Sequence, residues 1–163
     1  MAPIENETSD TPLEAYLKEV RRTFDNGFYH AAIMMALAIP DVCATLQSKE
    51  ARSGDKNYVA WLFDNAEPQE LIAHPQIVYK LRCGVSHNAF LTHNDIKKMN
   101  IERIVLTIPE TKNVVHGVKF EDAASDVGPF LLDAGLLVDA LLNAARRWYE
   151  KKPETSQCCG AHG

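Results

Sequence analysis

Phe28-Tyr29-His30-Ala31-Ala32-Ile33-Met34-Met35-Ala36-Leu37-Ala38-Ile39-Pro40-Asp41-Val42-Cys43-Ala44-Thr45-Leu46 decides the fold class. Phe28, Ala32, Met35, Ile39, Val42 and Leu46 recur every three or four residues, a period that lines one side of an α-helix of about five turns. Pro40 interrupts this helix chemically without ending the pattern. Proline lacks an N–H and its ring crowds the preceding turn, so a kink is expected there. The longest apolar run inside the stretch, Ala31 to Ile39, is far short of the ~20 residues that cross a bilayer.

Similar periods flank it. Leu13, Leu17, Val20 and Phe24 form a first helix, with Asp10 or Thr11 as cap, Pro12 in the first turn and Asp25-Asn26-Gly27 as the stop. Residues 48–56 carry charge and Gly54, which predicts a loop. Tyr58 to Phe63 resumes a helix with Trp61 and Leu62 inward, and Pro68 to Pro75 reads as a connection or short turn. Ile77, Leu81 and Val85 stripe a further helix over Gln76 to Ala89. The period then changes to two. Ile104, Leu106 and Ile108 alternate with Val105 and Thr107, and Val114, Val118 and Phe120 follow a polar turn at Glu110 to Asn113, which predicts a β-hairpin. A long helix from about Ser125 to Tyr149 closes the pattern, with Val127, Phe130, Ala134, Leu137, Leu141, Ala145 and Trp148 on its inner face. The expected architecture is mainly α: an up-and-down bundle of about five helices with a β-hairpin inserted before the last. Residues 1–10 and 151–163 are expected to be flexible ends, with one domain over residues 11–150.

The 163 residues suffice for a single core without staples, and 46% are hydrophobic. Seventeen basic against 22 acidic side chains leave a net charge of −5, which excludes a surface that coats nucleic acid broadly but not a small basic pocket. The four cysteines, Cys43, Cys83, Cys158 and Cys159, are not spaced as a disulfide framework. Met1 to Glu7 is polar and acidic, unlike a secretory leader, so a reducing cytoplasm is the expected location and no membrane partner is expected. Cys158, Cys159 and His162 offer soft ligands in the tail, but no second cluster completes a four-ligand zinc site, and neither metal nor cofactor is expected.

The chemistry concentrates in Tyr79-Lys80-Leu81-Arg82-Cys83-Gly84-Val85-Ser86-His87-Asn88. Arginine is a permanent cation shaped to grip phosphate or carboxylate. Histidine moves protons near neutral pH. Five positions apart on one regular helix, Arg82 and His87 are separated by roughly 140° of rotation and about 7.5 Å of rise. Two routes bring them to one atom. The helix loosens near Gly84, or two copies of the chain present their motifs across a two-fold axis. The structural alternative pairs Arg82 with Asp41 or a helix end, and His87 with a backbone carbonyl.

Leu81-Arg82-Cys83-Gly84-Val85-Ser86-His87 resembles the R-x4-6-H signature of the HEPN superfamily of helical bundles. Ala38-Ile39-Pro40-Asp41-Val42-Cys43, followed by Tyr58-Val59-Ala60-Trp61, resembles one bacterial branch of that group, in which a proline–aspartate helix precedes the arginine–cysteine helix and a hairpin and terminal helix follow. The resemblance covers roughly residues 13 to 150. It implies a homodimer through the signature helix, and either a metal-independent endoribonuclease or a relative that binds RNA, nucleotides or proteins. Toxin–antitoxin and phage-defence systems are the implied setting, with an antitoxin or other protein as a possible partner. In the implied reaction the RNA's own 2′-hydroxyl attacks. His87 serves as general base or acid, and Arg82 holds and neutralises the phosphate. Asp41, Cys83, Ser86 and Asn88 are the candidate supporting residues. Cys83 departs from the asparagine, aspartate or histidine common at that position in active members, and Asp41 is the candidate to supply the polar contact a thiol makes weakly. The alternative expectation is a non-catalytic dimeric interaction or ligand-binding module of a bacterial stress or defence system. His74, His93, Lys97, Lys98 and Arg103 are secondary candidates for contacting a substrate.

Overall fold

The computed structural model describes residues 10–47, 54–88, 94–108, 118–119 and 127–152. The first helix, α1 (Pro12–Asp25), begins and ends as its sequence demands. The Thr11 hydroxyl accepts the Glu14 N–H and Pro12 occupies the first turn. At the other end Gly27 adopts φ 82°. The Gly27 N–H donates to the Phe24 carbonyl at 2.9 Å and the Phe28 N–H to the Thr23 carbonyl at 3.1 Å, the paired bonds of a Schellman cap. A Cβ at Gly27 meets no neighbour, so its cost is one of backbone conformation alone. Gly27→Ala is therefore expected to destabilise the fold by about 1–2 kcal/mol, read as a lower midpoint in urea with an unchanged slope.

The helices α2 (Tyr29–Gln47), α3 (Asp55–Asn65), α4 (Pro68–Leu71) and α5 (Pro75–Asn88) follow. A 3₁₀ segment spans Asn94–Met99, and α6 (Ala134–Glu150) comes last. The mainly helical architecture is as expected. Helix α2 lies at its centre, touching α1, α3, α5 and α6. By length and composition alone α2 could cross a membrane; here it is the core helix. Its inner side differs from the expected stripe. Ala32 and Ile39 are buried and Met35 and Val42 partly so, but Phe28 and Leu46 are exposed, while Ile33, Ala36, Leu37, Pro40, Cys43 and Ala44 are buried. A helix contacted on several sides has no single stripe, and the alanines let its neighbours approach closely. The helix continues through Pro40.

Three strands form one small sheet: β1 (Ile101–Thr107), β2 (Val118–Lys119) and β3 (Gly128–Asp133), in the order β1-β3-β2. This corrects two expectations. First, β1 does not pair with β2 as a hairpin. It pairs in parallel with β3, and β2 pairs antiparallel with the other edge of β3. Second, the last helix begins at Ala134, not near Ser125, because residues 128–133 are the central strand. A short apolar run such as Phe130-Leu131-Leu132 fits a buried strand as well as a helix. Asp133 settles which it is. Its carboxylate accepts the Leu136 N–H at 2.9 Å, capping α6, and accepts from the Thr107 hydroxyl at 3.3 Å, tying in the end of β1. Asp133→Ala removes the cap of α6 and the tie to Thr107, an expected loss of about 1–2 kcal/mol visible as a lower melting temperature.

One core joins these elements. Leu17, Val20, Leu37, Ile39, Leu62, Leu81, Leu132, Leu137 and Leu141 are all shielded from solvent. Trp61 and Trp148 meet edge-on at 6.3 Å, locking α3 to α6.

Candidate functional site

Helix α5 turns Ile77, Leu81 and Val85 into the core, as expected, and Val78 with them. That register places Tyr79 and Arg82 at its border with α2 and α3. Arg82 meets Asp41 of α2. Its Nε donates to Asp41 Oδ2 at 3.1 Å, and Nη2 lies 2.9 Å from the same oxygen. The side chains are 26% and 15% exposed, so the pair is half-sheltered and still open on one side. Burial pulls the guanidinium's pKa down, but the charge and hydrogen bond of Asp41, aided by Cys83, outweigh it, and the net shift is upward. Arg82 is a fixed cation, oriented rather than neutralised by proton loss.

Asp41 follows Pro40 on α2. Proline cannot bond the Ala36 carbonyl, which loosens the turn before it. Tyr58 of α3 supports that turn: its buried hydroxyl donates to the Leu37 carbonyl at 2.8 Å. The Tyr58 ring lies 5.3 Å from that of Tyr79, tilted by 58°. Burial, chiefly, drives the Tyr58 hydroxyl well above its ordinary pKa. Burial, with the Cys83 hydrogen bond next, pushes Tyr79 up to about 12. Both therefore stay neutral at physiological pH. Asp41, Tyr58, Tyr79, Arg82 and Cys83 thus make one polar cluster inside an apolar junction. The two tyrosines were not among the expected site residues. The signal for Tyr79 was its position three before Arg82, one turn away on the same side.

The remaining candidates are placed as follows. Cys83 is buried, and Ser86 is exposed one turn beyond Arg82. His87 and Asn88 are the last two residues of α5, but their side chains lie outside the described residues. Helix α5 is unbroken through Gly84, so the loosening considered for that position does not occur. Cys43 is a second free thiol, buried in α2, and burial raises its pKa to about 12. His74 packs edge-on against Phe63 at 5.5 Å, away from Arg82 by two helical turns of α5. Arg103 pairs with Glu102, Lys97 and Lys98 are exposed, and His93 lies outside the described residues. Among the described residues no group of three or more His, Cys, Asp or Glu side chains is placed to hold a metal. Cys158, Cys159 and His162 lie outside them.

No family model matches the chain, and neither a curated protein nor a solved structure matches it.

Chemically, the cluster offers one guanidinium oriented by Asp41 through Nε and Nη2. Asp41 offsets its charge in the free protein. An incoming phosphate must share Arg82 with that carboxylate, which favours a dianionic or transition-state oxygen over a weakly charged ligand.

Proposed function

We propose that this chain is a HEPN-like, cytoplasmic RNA-processing protein of a bacterial defence or toxin system, acting as a metal-independent endoribonuclease in a homodimer. The observation that carries the reading is the held guanidinium of Arg82, five positions before His87 on an unbroken helix. A straight helix separates those two positions, so a paired α5 from a second copy supplies the missing half: Arg82 from one chain and His87 from its partner at one phosphate. His87 moves the proton of the RNA 2′-hydroxyl, and Arg82 stabilises the charge that develops on the phosphoryl oxygens. Asp41 orients Arg82, and Ser86 and Asn88 border the path of the RNA.

Incubating the purified protein with a short single-stranded RNA in EDTA tests this. Products ending in 2′,3′-cyclic phosphate are expected, together with a dimer by light scattering. Intact RNA, or a monomer at micromolar concentration that still cleaves, removes the paired-helix mechanism.

A second reading has its own support. Asp41 compensates Arg82 and Cys83 is buried rather than offered to a substrate, which suits a non-catalytic dimeric interaction or ligand-binding module. It expects intact RNA and a protein partner, such as an antitoxin, that co-purifies.

A further inference from the structure

A helix that is apolar on all sides is normally buried on all sides, yet only 44% of the most apolar window of α2 is buried. The buried positions are Ala32, Ile33, Ala36, Leu37, Ile39, Pro40, Cys43 and Ala44. The open ones share the opposite side. Ala31, Met34 and Thr45 are exposed, Met34 by 49%, and Met35, Ala38, Asp41 and Val42 are half-buried. With 3.6 residues per turn these seven fall within roughly 120° of the helix. Its neighbours mark the two borders of this strip. On one the Tyr16 hydroxyl of α1 donates to the Met35 carbonyl at 2.8 Å, and on the other Arg82 of α5 meets Asp41.

The chemistry of the strip narrows its occupant. Residues 28–47 hold no lysine or arginine, so the strip attracts neither a phosphate backbone nor an anionic lipid surface. Asp41 is its one charged side chain, and Arg82 balances it, so two copies facing each other bring no unpaired like charges together. Area adds a constraint. The 19 residues of α2 are about 28 Å long, and a strip one helix wide falls short of the ~800 Å² per partner that holds a stable dimer. The adjoining flank of α5 must join it. That flank cannot drive association alone, because Gln76 and Ser86 are exposed and polar there and Lys80 is half-buried. We propose that a second copy of this chain covers the strip, α2 packing on α2 across a two-fold axis near Ala38 with α5 alongside. Helix α2 then drives the pairing, and α5 is what the pairing brings together. The choice of a second copy rests on the paired-helix reading above, which needs one.

Sedimentation of the whole chain over a concentration series, without RNA, tests this. A wild-type dimer is expected. Met34→Glu forces a carboxylate into the seam and raises the dissociation constant by about tenfold or more. Ala31→Glu, at a second exposed position of the strip, does the same and keeps the test open should Met34→Glu fail to fold. Phe63→Glu, on α3 and 60% exposed, leaves the dimer within about twofold. A wild-type monomer overturns the proposal, as does equal dissociation in the Phe63 control. A dimer that survives both α2 variants also overturns it, yet leaves pairing through α5 standing. A dimer dissolved by the α2 variants alone upholds the interface even where RNA stays intact, a result that ends only the ribonuclease reading.

Discussion

If the proposed ribonuclease reading holds, His87→Ala is expected to slow metal-free RNA cleavage by about 10²–10⁴-fold, the contribution of a positioned proton-transfer group. Arg82→Ala is expected to lose about 10²–10³-fold, as when one charge-stabilising donor is removed from a reaction centre. Arg82→Lys separates charge from shape. It keeps the cation but cannot reproduce the Nε contact with Asp41, so it recovers only part of the loss. Asp41→Asn frees the guanidinium from its counter-charge. On the proposed reading RNA is then expected to bind more tightly, while turnover falls because Arg82 is less firmly held. That split between KM and kcat distinguishes an orienting carboxylate from a merely structural one. Mixing His87→Ala with Arg82→Ala chains is expected to restore partial cleavage if the site is composite, because one of the two composite sites in the mixed dimer carries both residues. Single-turnover rates on one RNA oligonucleotide read all of these. Wild-type rates in both alanine variants would remove these residues from the chemistry.

Tyr58→Ala is expected to destabilise the fold by about 3–5 kcal/mol, the cost of emptying a fully buried aromatic site. Tyr58→Phe isolates the hydroxyl. It leaves the ring stack with Tyr79 in place and takes the donor from the Leu37 carbonyl, an expected loss on the order of 1–3 kcal/mol. The effect is at the upper end because Pro40 has already removed one backbone donor from this turn. Urea unfolding followed by circular dichroism measures both. If Tyr58→Phe unfolds at the wild-type midpoint, the hydroxyl does not support the turn before Asp41.

Much of this was legible in residue order. Thr11, Pro12 and Gly27 marked the limits of α1 because capping is a local matter of three or four neighbouring groups. Ile77, Leu81 and Val85 gave the register of α5 because their stripe packs into the core, although Cys83 on the far side is buried as well. The exposed Phe28 and Leu46 show where the same reasoning stops. A periodic stripe indicates an inner side only when the helix has one, and α2 is packed on several. The strand at Phe130 to Leu132 was read as helix for a different reason: Leu131 is apolar although only half-buried, so residue type carries none of the alternation that the burial shows. Arg82 and Asp41 were both visible as candidates. Their contact joins positions 41 residues apart, and no local rule predicts it.

By itself the amino-acid order determined a mainly helical chain, the ends of α1, the buried stripe of α5 and an arginine–histidine pair too far around one helix to act on one atom alone. These follow from bonds between neighbours and from the 3.6-residue turn. The tertiary structure alone decided that β3 lies between β1 and β2, that Asp133 begins α6, and that Tyr58 braces the turn from which Asp41 holds Arg82. Those depend on which distant surfaces meet, and that is governed by the shape and burial of the whole core rather than by any stretch within it.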